Sequence, residues 1–430
     1  LFMKSYQKLW KYANKIIPGG NGLLSKRPQR FSPDHWPTYY TKAKGIYLWD
    51  INGKKFTDMS IMGIGTSILG YANNELDNFI KKNISYGVNT TLNSLEEVSL
   101  AKELLKIDSF ADQVKFARSG GEAVAIAIRI ARAKNKKTKI AFSGYHGWQD
   151  WYLAANLKDK KNLNNHLLKN LDPIGVPKEL IGSNIPIKFN DIGHLIKTIK
   201  KNDFAAIIVE PGRFNYMEKN FAKKINYICK TKNICLIVDE ITCGWRSNLG
   251  GLYKKIGLKP DIVIYGKALG NGYAISSIVG KKKYLKFANK SFISSTAWTE
   301  RVGFCAALKT IQILRKKNYQ KIEKLSKIIK NDWKYYSKKY EVDITVNNYS
   351  SIPSFQFNYG NKNDQLYTIF TNLFLKKNIL ATNSVYLSFA HNNKNIKEYR
   401  LHLDNIFCTL KEFILSNKNL NKSKIRKSNY

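Results

Sequence analysis

Between Gly45 and Asp58 apolar and polar residues alternate on either side of Asn52-Gly53, a dipeptide that favours a tight turn between antiparallel strands. A β-hairpin is predicted there, and with it a small β-containing lobe at the amino-terminal end. From about residue 95 the pattern changes. Short β-branched runs at 114–117, 139–142, 205–210, 236–239, 262–265 and 277–280 are bounded by turn residues and separated by stretches of helical character. Runs without a polar face suit strands buried on both sides, and their alternation with helices predicts an α/β fold, a mostly parallel sheet flanked by helices. Beyond Phe304 two helical stretches, 306–314 and 319–338, lead into a mixed α+β region ending near Leu415. The expected organisation is 1–60 as the amino-terminal part of a small domain, 61–305 as a large α/β domain, 306–416 as the carboxy-terminal part of the small domain, and 417–430 as a flexible tail rich in Lys, Asn and Ser.

With 430 residues, 43% of them hydrophobic, the chain can bury a large core in two domains. A formal charge of +41 would suit a phosphate backbone. The lysines are spread over the whole sequence among Asn, Ile and Tyr, however, so a solvated basic surface is expected rather than a nucleic-acid partner. The five cysteines are odd in number and include no CxxC pair, which points away from a disulfide framework and from a zinc site and toward reduced thiols. No run of about 18 apolar residues occurs, and the first residues lack a basic stretch followed by an apolar one. A cytoplasmic protein with neither a membrane nor a metal partner is the expectation.

Candidate chemistry gathers where the buried runs end. Asp239 closes Cys235-Leu236-Ile237-Val238 and Lys267 follows Ile262-Val263-Ile264-Tyr265-Gly266, so both belong at the carboxyl ends of parallel strands, where open α/β sheets place ligands. A carboxylate there can pair with a pyridinium nitrogen. A partly desolvated lysine on the next strand loses its proton more readily and can form an imine with an aldehyde, which together suit pyridoxal phosphate. Ser119-Gly120-Gly121-Glu122 joins a strand to a helix and can present backbone amides to a phosphate ester, although an ordinary tight turn would look the same. Neither GxxxxGK[ST] nor GxGxxG opens a helix anywhere in the chain. Tyr145 follows the next strand with His146 beside it and could stack on a flat heteroaromatic ring, although core packing is the reading favoured for the segment alone; Glu210 and Asn215 end another strand and by themselves read first as satisfied turn residues.

Taken in order, SGGEA, YHGW, EPxxxN, the apolar strand ending in DE, GWR, PD, GKxLGNG and SST resemble the class III, fold-type-I pyridoxal-phosphate-dependent aminotransferases, and most of all their glutamate-1-semialdehyde aminomutase branch. The resemblance covers roughly residues 15–410. It implies a mostly parallel seven-stranded sheet with a smaller α+β domain formed from both chain ends, and a homodimer. Lys267 would hold the cofactor aldehyde and Asp239 its ring nitrogen, with Ile241 and Tyr145 on opposite ring faces. Ser119, Gly120 and Gly121 would hold the phosphate, and Thr296 would reach the phosphate in the neighbouring subunit. Glu210 and Asn215 would lie near the phenolic oxygen and the substrate, with His146 also beside the cofactor. The arginine of GWR, Arg246, would be structural.

Three departures from the family pattern stand out. Gly121 occupies the place of a threonine, so one hydroxyl donor is missing. Trp298-Thr299-Glu300-Arg301 replaces a small SGNP segment, which is expected to reshape the substrate pocket through Trp298, Glu300 and Arg301. In the amino-terminal region Arg30, and after it Arg27, are the candidates for a clamp on a substrate carboxylate. Two enzymatic readings follow: an aminotransferase moving nitrogen from glutamate or alanine to a small carbonyl acceptor, with the cofactor alternating between pyridoxal and pyridoxamine phosphate, or an aminomutase moving it within one molecule. A third reading, motivated by the charge, is a basic binding protein on a catalytically inactive version of the fold.

Overall fold

The computed structural model describes residues 5–166, 168–416 and 419–427. The chain divides into two units, one built from the segments up to Asn73 and from Asn318 onward, the other from Asn74–Lys317. In the first unit β1 (Tyr40–Lys44), β2 (Tyr47–Asp50) and β3 (Lys55–Met59) form an antiparallel meander. The expected hairpin is the β2–β3 turn, with Asp50 Oδ1 accepting from the Asn52 and Lys54 amides.

The second unit holds β4 (Gln113–Ala117), β5 (Lys139–Ser143), β6 (Asn184–Pro186), β7 (Phe204–Val209), β8 (Cys235–Asp239), β9 (Ile262–Tyr265) and β10 (Ser276–Gly280). They form one seven-stranded sheet in the order β4-β10-β9-β8-β7-β5-β6, in which only β10 runs against its neighbours. Every residue of β7 and β8 is buried, as runs without a polar face require. The core beneath is closed by the helix Gly120–Asn135, whose Ala127, Ile130 and Ala131 share one buried cluster with Ile208, Ile237 and Ile264. The carboxyl ends of β4, β5, β7, β8 and β9 share one edge, which gathers residues far apart in sequence.

Two expectations about organisation are corrected. The boundaries fall at 73 and 317 rather than 60 and 305. The helix Arg301–Arg315 stays with the large unit because its apolar face is buried and Lys309 and Arg315 pair with Glu75 and Glu103 at 2.8 and 2.7 Å. The segment 419–427 is bound rather than loose. Leu420 N–H donates to Gln365 Oε1, Lys427 N–H donates to Gln29 O, and the largely covered Arg426 guanidinium stacks on the Tyr367 ring at 3.8 Å while pairing with Asp364. The remaining tail positions, 417–418 and 428–430, lie outside the described residues. The rest of the first unit adds β11 (Ile344–Val346) paired with β12 (Phe355–Phe357), and β13 (Ile379–Ala381) parallel to β3. Among the described residues no helix is long and apolar enough to cross a membrane.

Candidate active site

Asp239 ends β8 and faces the shared edge. Its Oδ2 lies 2.8 Å from His146 Nδ1 and its Oδ1 accepts from the Ile241 amide at 3.0 Å. Both side chains are almost wholly buried, and His146 Nε2, also buried, meets no partner among the described residues. A buried carboxylate held by hydrogen bonds but, among the described residues, by no arginine or lysine is suited to pair with a cationic ligand group.

Lys267 sits just past β9 with φ +44°, a left-handed conformation that costs a non-glycine residue about 1–2 kcal/mol. The turn aims its Nζ at Thr242 Oγ1, 2.8 Å away. Burial first, and the Arg213 guanidinium second, pull the amine down to about 8, while Glu210 and Asp239 pull the other way. A substantial neutral fraction at neutral pH makes it a competent nucleophile and proton carrier. Thr242 Oγ1 also accepts from Arg213 Nη2 at 3.0 Å, and Arg213 forks onto both oxygens of Glu210. Burial would raise the Glu210 carboxyl, but Arg213 outweighs it and keeps the group below the usual carboxylate range. Glu210 Oε2 accepts from the Tyr145 amide, and Gly144 is glycine because a Cβ there would lie 2.7 Å from that oxygen. Tyr145 lies beneath Arg213 and edge-on to Tyr152, and burial raises its phenol above the ordinary value. Asn215 shares a short bridged turn with Arg213, whose amide faces Asn215 O at 3.4 Å.

The phosphate candidates cap a helix of 16 residues. Ser119 Oγ accepts from the Glu122 amide while Glu122 Oε2 accepts from the Ser119 and Arg118 amides. This leaves the Gly120 and Gly121 amides at the positive end of the helix for an anion. A Cβ on Gly120 would come within 2.7 Å of Ile241 Cδ1, so glycine brings Ile241 against the cradle. A Cβ on Gly121 would meet Gln149 Nε2 at 2.2 Å. Gln149 thus fills the space that a larger residue at 121 would take, and its Oε1 is held by the Trp148 amide. Sequence reading passed over Gln149, although the missing hydroxyl at 121 signalled that something must stand in.

Thr296 is exposed at the start of a short turn, Thr296–Thr299. Trp298 does not project as a free pocket wall in this chain: its ring packs on the core and its Nε1 donates to Glu122 Oε1 at 3.2 Å. Arg118 reaches Ala297 O, Glu300 O and the Glu300 carboxylate, tying this segment to the phosphate loop. Glu300 also caps the following helix through the Val302 amide, and Arg301 is held by both oxygens of Glu96. Glu300 and Arg301 are therefore closed by protein partners. In the other unit Arg30 donates to Lys427 O, and Arg27 lies against Gly19 with its Nε buried and unbonded among the described residues. The structure thus gathers Lys267, Asp239, His146, Tyr145, Glu210, Ile241, Ser119, Gly120 and Gly121 at one sheet edge.

The donor set fits pyridoxal phosphate: an amine of lowered pKa, an unneutralised buried carboxylate, and glycine amides at a helix start. Together the sheet and this edge define a fold-type-I pyridoxal-phosphate-dependent transferase. Comparison agrees. The chain resembles a transaminase with pyridoxal phosphate bound over 96% of its length and 99% of that chain, with TM-score 0.85 and 20% identity. It resembles an omega-transaminase from Sphaerobacter thermophilus over 94% and 96%, with TM-score 0.83 and 20% identity. In sequence it is 33% identical over 434 residues to glutamate-1-semialdehyde 2,1-aminomutase of Nitrosopumilus maritimus, covering 94% of this chain and 99% of that protein. It is also 33% identical over 318 residues to 3-aminobutyryl-CoA aminotransferase of Cloacimonas acidaminovorans, covering 72% of each. The family profile of class-III aminotransferases matches residues 31–373, and the chain belongs to that family. Its cofactor is pyridoxal phosphate.

Proposed function

We propose that the protein is an aminotransferase that takes an amino group from an amino acid, glutamate or alanine, and passes it to a small carbonyl acceptor in two half-reactions. The observation that carries this reading is the Lys267 amine, lowered to about 8 and, among the described residues, hydrogen-bonded to the neutral hydroxyl of Thr242. When bound, the cofactor supplies the aldehyde that exchanges nitrogen and a ring that accepts electrons from the substrate carbon. Lys267 Nζ would hold that aldehyde, and its lowered pKa would let it carry a proton at the substrate carbon. Asp239, steadied by His146, would keep the ring nitrogen protonated, and Ile241 and Tyr145 would confine the ring. Gly120 and Gly121 bind the phosphate, Ser119 orders that turn, and Gln149 supplies an amide beside Gly121. Glu210 and Asn215 border the side on which substrate enters.

The assembly we infer is a homodimer in which Thr296 reaches the partner's phosphate. Its exposure at the start of an ordered turn, clamped from behind by Arg118, supports this. None of the five cysteines is in a disulfide among the described residues, which is consistent with a reducing, cytoplasmic setting. An intramolecular aminomutase is the second reading, favoured by the near full-length likeness to the Nitrosopumilus enzyme. The CoA-linked substrate in the name of the Cloacimonas relative favours intermolecular transfer. Supplying ¹⁵N-glutamate separates the two: label appearing in a second product establishes the aminotransferase, whereas nitrogen retained within one carbon skeleton establishes the aminomutase and overturns the first reading.

A further inference from the structure

Beyond the carboxyl ends of β5, β6 and β7, wholly within the large unit, lies a cavity of about 500 Å³. It shares Gly144, Glu210 and Arg213 with the site described above. Arg213 is two hydrogen bonds from the reacting amine, through Thr242 Oγ1. Arg213 thus links the cavity lining to the hydroxyl that holds the amine, and a substrate chain running past this side chain would enter the cavity.

The lining is one-sided in charge. Glu210 is its single acid and is already bound by Arg213, whereas Lys161 and Lys188 have no carboxylate partner among the described residues. Two imidazoles add donors. His166 Nδ1 accepts from the Gly144 amide and His194 Nδ1 faces the Lys188 amide, so in each neutral ring the proton is on Nε2. Burial, with nearby charge second, holds both rings below the ordinary histidine value, His166 at about 4, so they stay neutral donors at physiological pH. The lining also includes the apolar Ile187, Phe189 and Phe214. Two cations, two N–H donors and apolar side chains match a chain with an oxyanion at its far end.

We propose that this cavity is a subsite for the distal oxyanion of the substrate, a phosphate or carboxylate carried several atoms from the reacting carbonyl, with Lys161 and Lys188 as its cationic receptors. This rests on the transferase reading for its substrate but not for the anion itself. The selectivity of the enzyme then comes from a group that never touches the cofactor, and acts on KM rather than on kcat.

The test uses holoenzyme, whose cofactor already fills the phosphate cradle. Inorganic phosphate is titrated calorimetrically into the native protein, K161A/K188A and K161R/K188R. Binding that weakens about tenfold in the alanine pair and persists in the arginine pair is expected. Binding that is absent from the native protein, or indifferent to both lysines, overturns the subsite. In a second arm the amine form of the enzyme is presented with butanal, succinate semialdehyde and glyceraldehyde 3-phosphate. The expected result is a preference for one charged aldehyde over butanal that falls about tenfold through KM in the alanine pair. Which aldehyde is preferred identifies the oxyanion, and an equal loss for butanal overturns the proposal. Failure of every aldehyde to restore the aldehyde form, with lysine-dependent phosphate binding intact, would sink the transferase reading and leave the anion site standing.

Discussion

The two edges of the large sheet carry the same residue types to opposite ends. At the edge where β9 begins, Asp261 Oδ1 meets Lys281 Nζ at 2.8 Å and Lys283 Nζ at 3.6 Å, while its Oδ2 accepts from the Leu236 amide. At the edge where β8 and β9 end, Asp239 and Lys267 do not pair. The aspartate turns to a histidine and the lysine to a hydroxyl. Where charges are closed on one another the sheet gains structure; where they are kept apart each is left with an unmet requirement that a ligand can meet. The second arrangement costs stability, and it is found where chemistry is expected.

Breaking the open edge should have the largest effect. On the proposed reading Lys267→Ala removes nucleophile and proton carrier together, and kcat with glutamate as donor should fall by on the order of 10⁴ or more. Lys281→Ala should leave kcat within about twofold, since Lys281 serves only the closed pair. Comparable losses in the two variants would erase the contrast. Asp239→Asn keeps the shape but weakens the hold on the protonated ring, and a loss on the order of 10³, about 4 kcal/mol, is expected in kcat while cofactor stays bound. Its counterpart Asp261→Asn should leave kcat alone and lower unfolding stability by about 1 kcal/mol, because the pair is partly exposed. Denaturant titration of both variants checks the division.

Gln149→Ala probes the cradle, and a rise of about tenfold in the cofactor dissociation constant is expected, read from absorbance on dilution. The smallest effect concerns protons. The Lys267 amine titrates near 8 in the folded protein against an ordinary value near 10.5. Between those values the unfolded chain holds a proton that the folded chain lacks, so this group's contribution to stability of the cofactor-free protein rises with pH across that window and is flat below it. Lys267→Met should remove that rise from denaturation midpoints measured between pH 7 and 10. Cofactor capture by the native protein should accelerate over the lower part of the same range. A midpoint curve unchanged by the substitution would show that burial does not depress the amine.

Most of the sheet was legible because its strands are short apolar runs with no polar face, and Asp239 and Lys267 stand where such runs end. The exceptions are instructive. Asn184-Ile185-Pro186 escaped notice because an edge strand of three residues with a proline carries almost no pattern. The reversed direction of β10 is set by its connection through the Lys267–Gly270 turn, and side-chain alternation is blind to direction. In the site, residues at strand ends were readable and residues that act through loops were not. Gln149 is an unremarkable glutamine until Gly121 is placed beside it. Trp298 looked like a pocket residue because of its size, but its indole N–H is satisfied by Glu122 and its ring by the core. Arg30 and Arg301 were singled out for charge, which says nothing about the Lys427 carbonyl or the Glu96 carboxylate that receives each of them.

The stretch from Asn419 to Lys427 has a practical corollary. Its arginine covers an aromatic ring and neutralises Asp364, and its backbone ties to Gln365, Thr368 and Gln29. A purification tag fused directly behind it would pull on a fastened strap, and a truncation at 416 would remove the Arg426 partner of Asp364 and take the Lys427 carbonyl from the Arg30 guanidinium. Recombinant versions should therefore carry their handle at the opposite terminus.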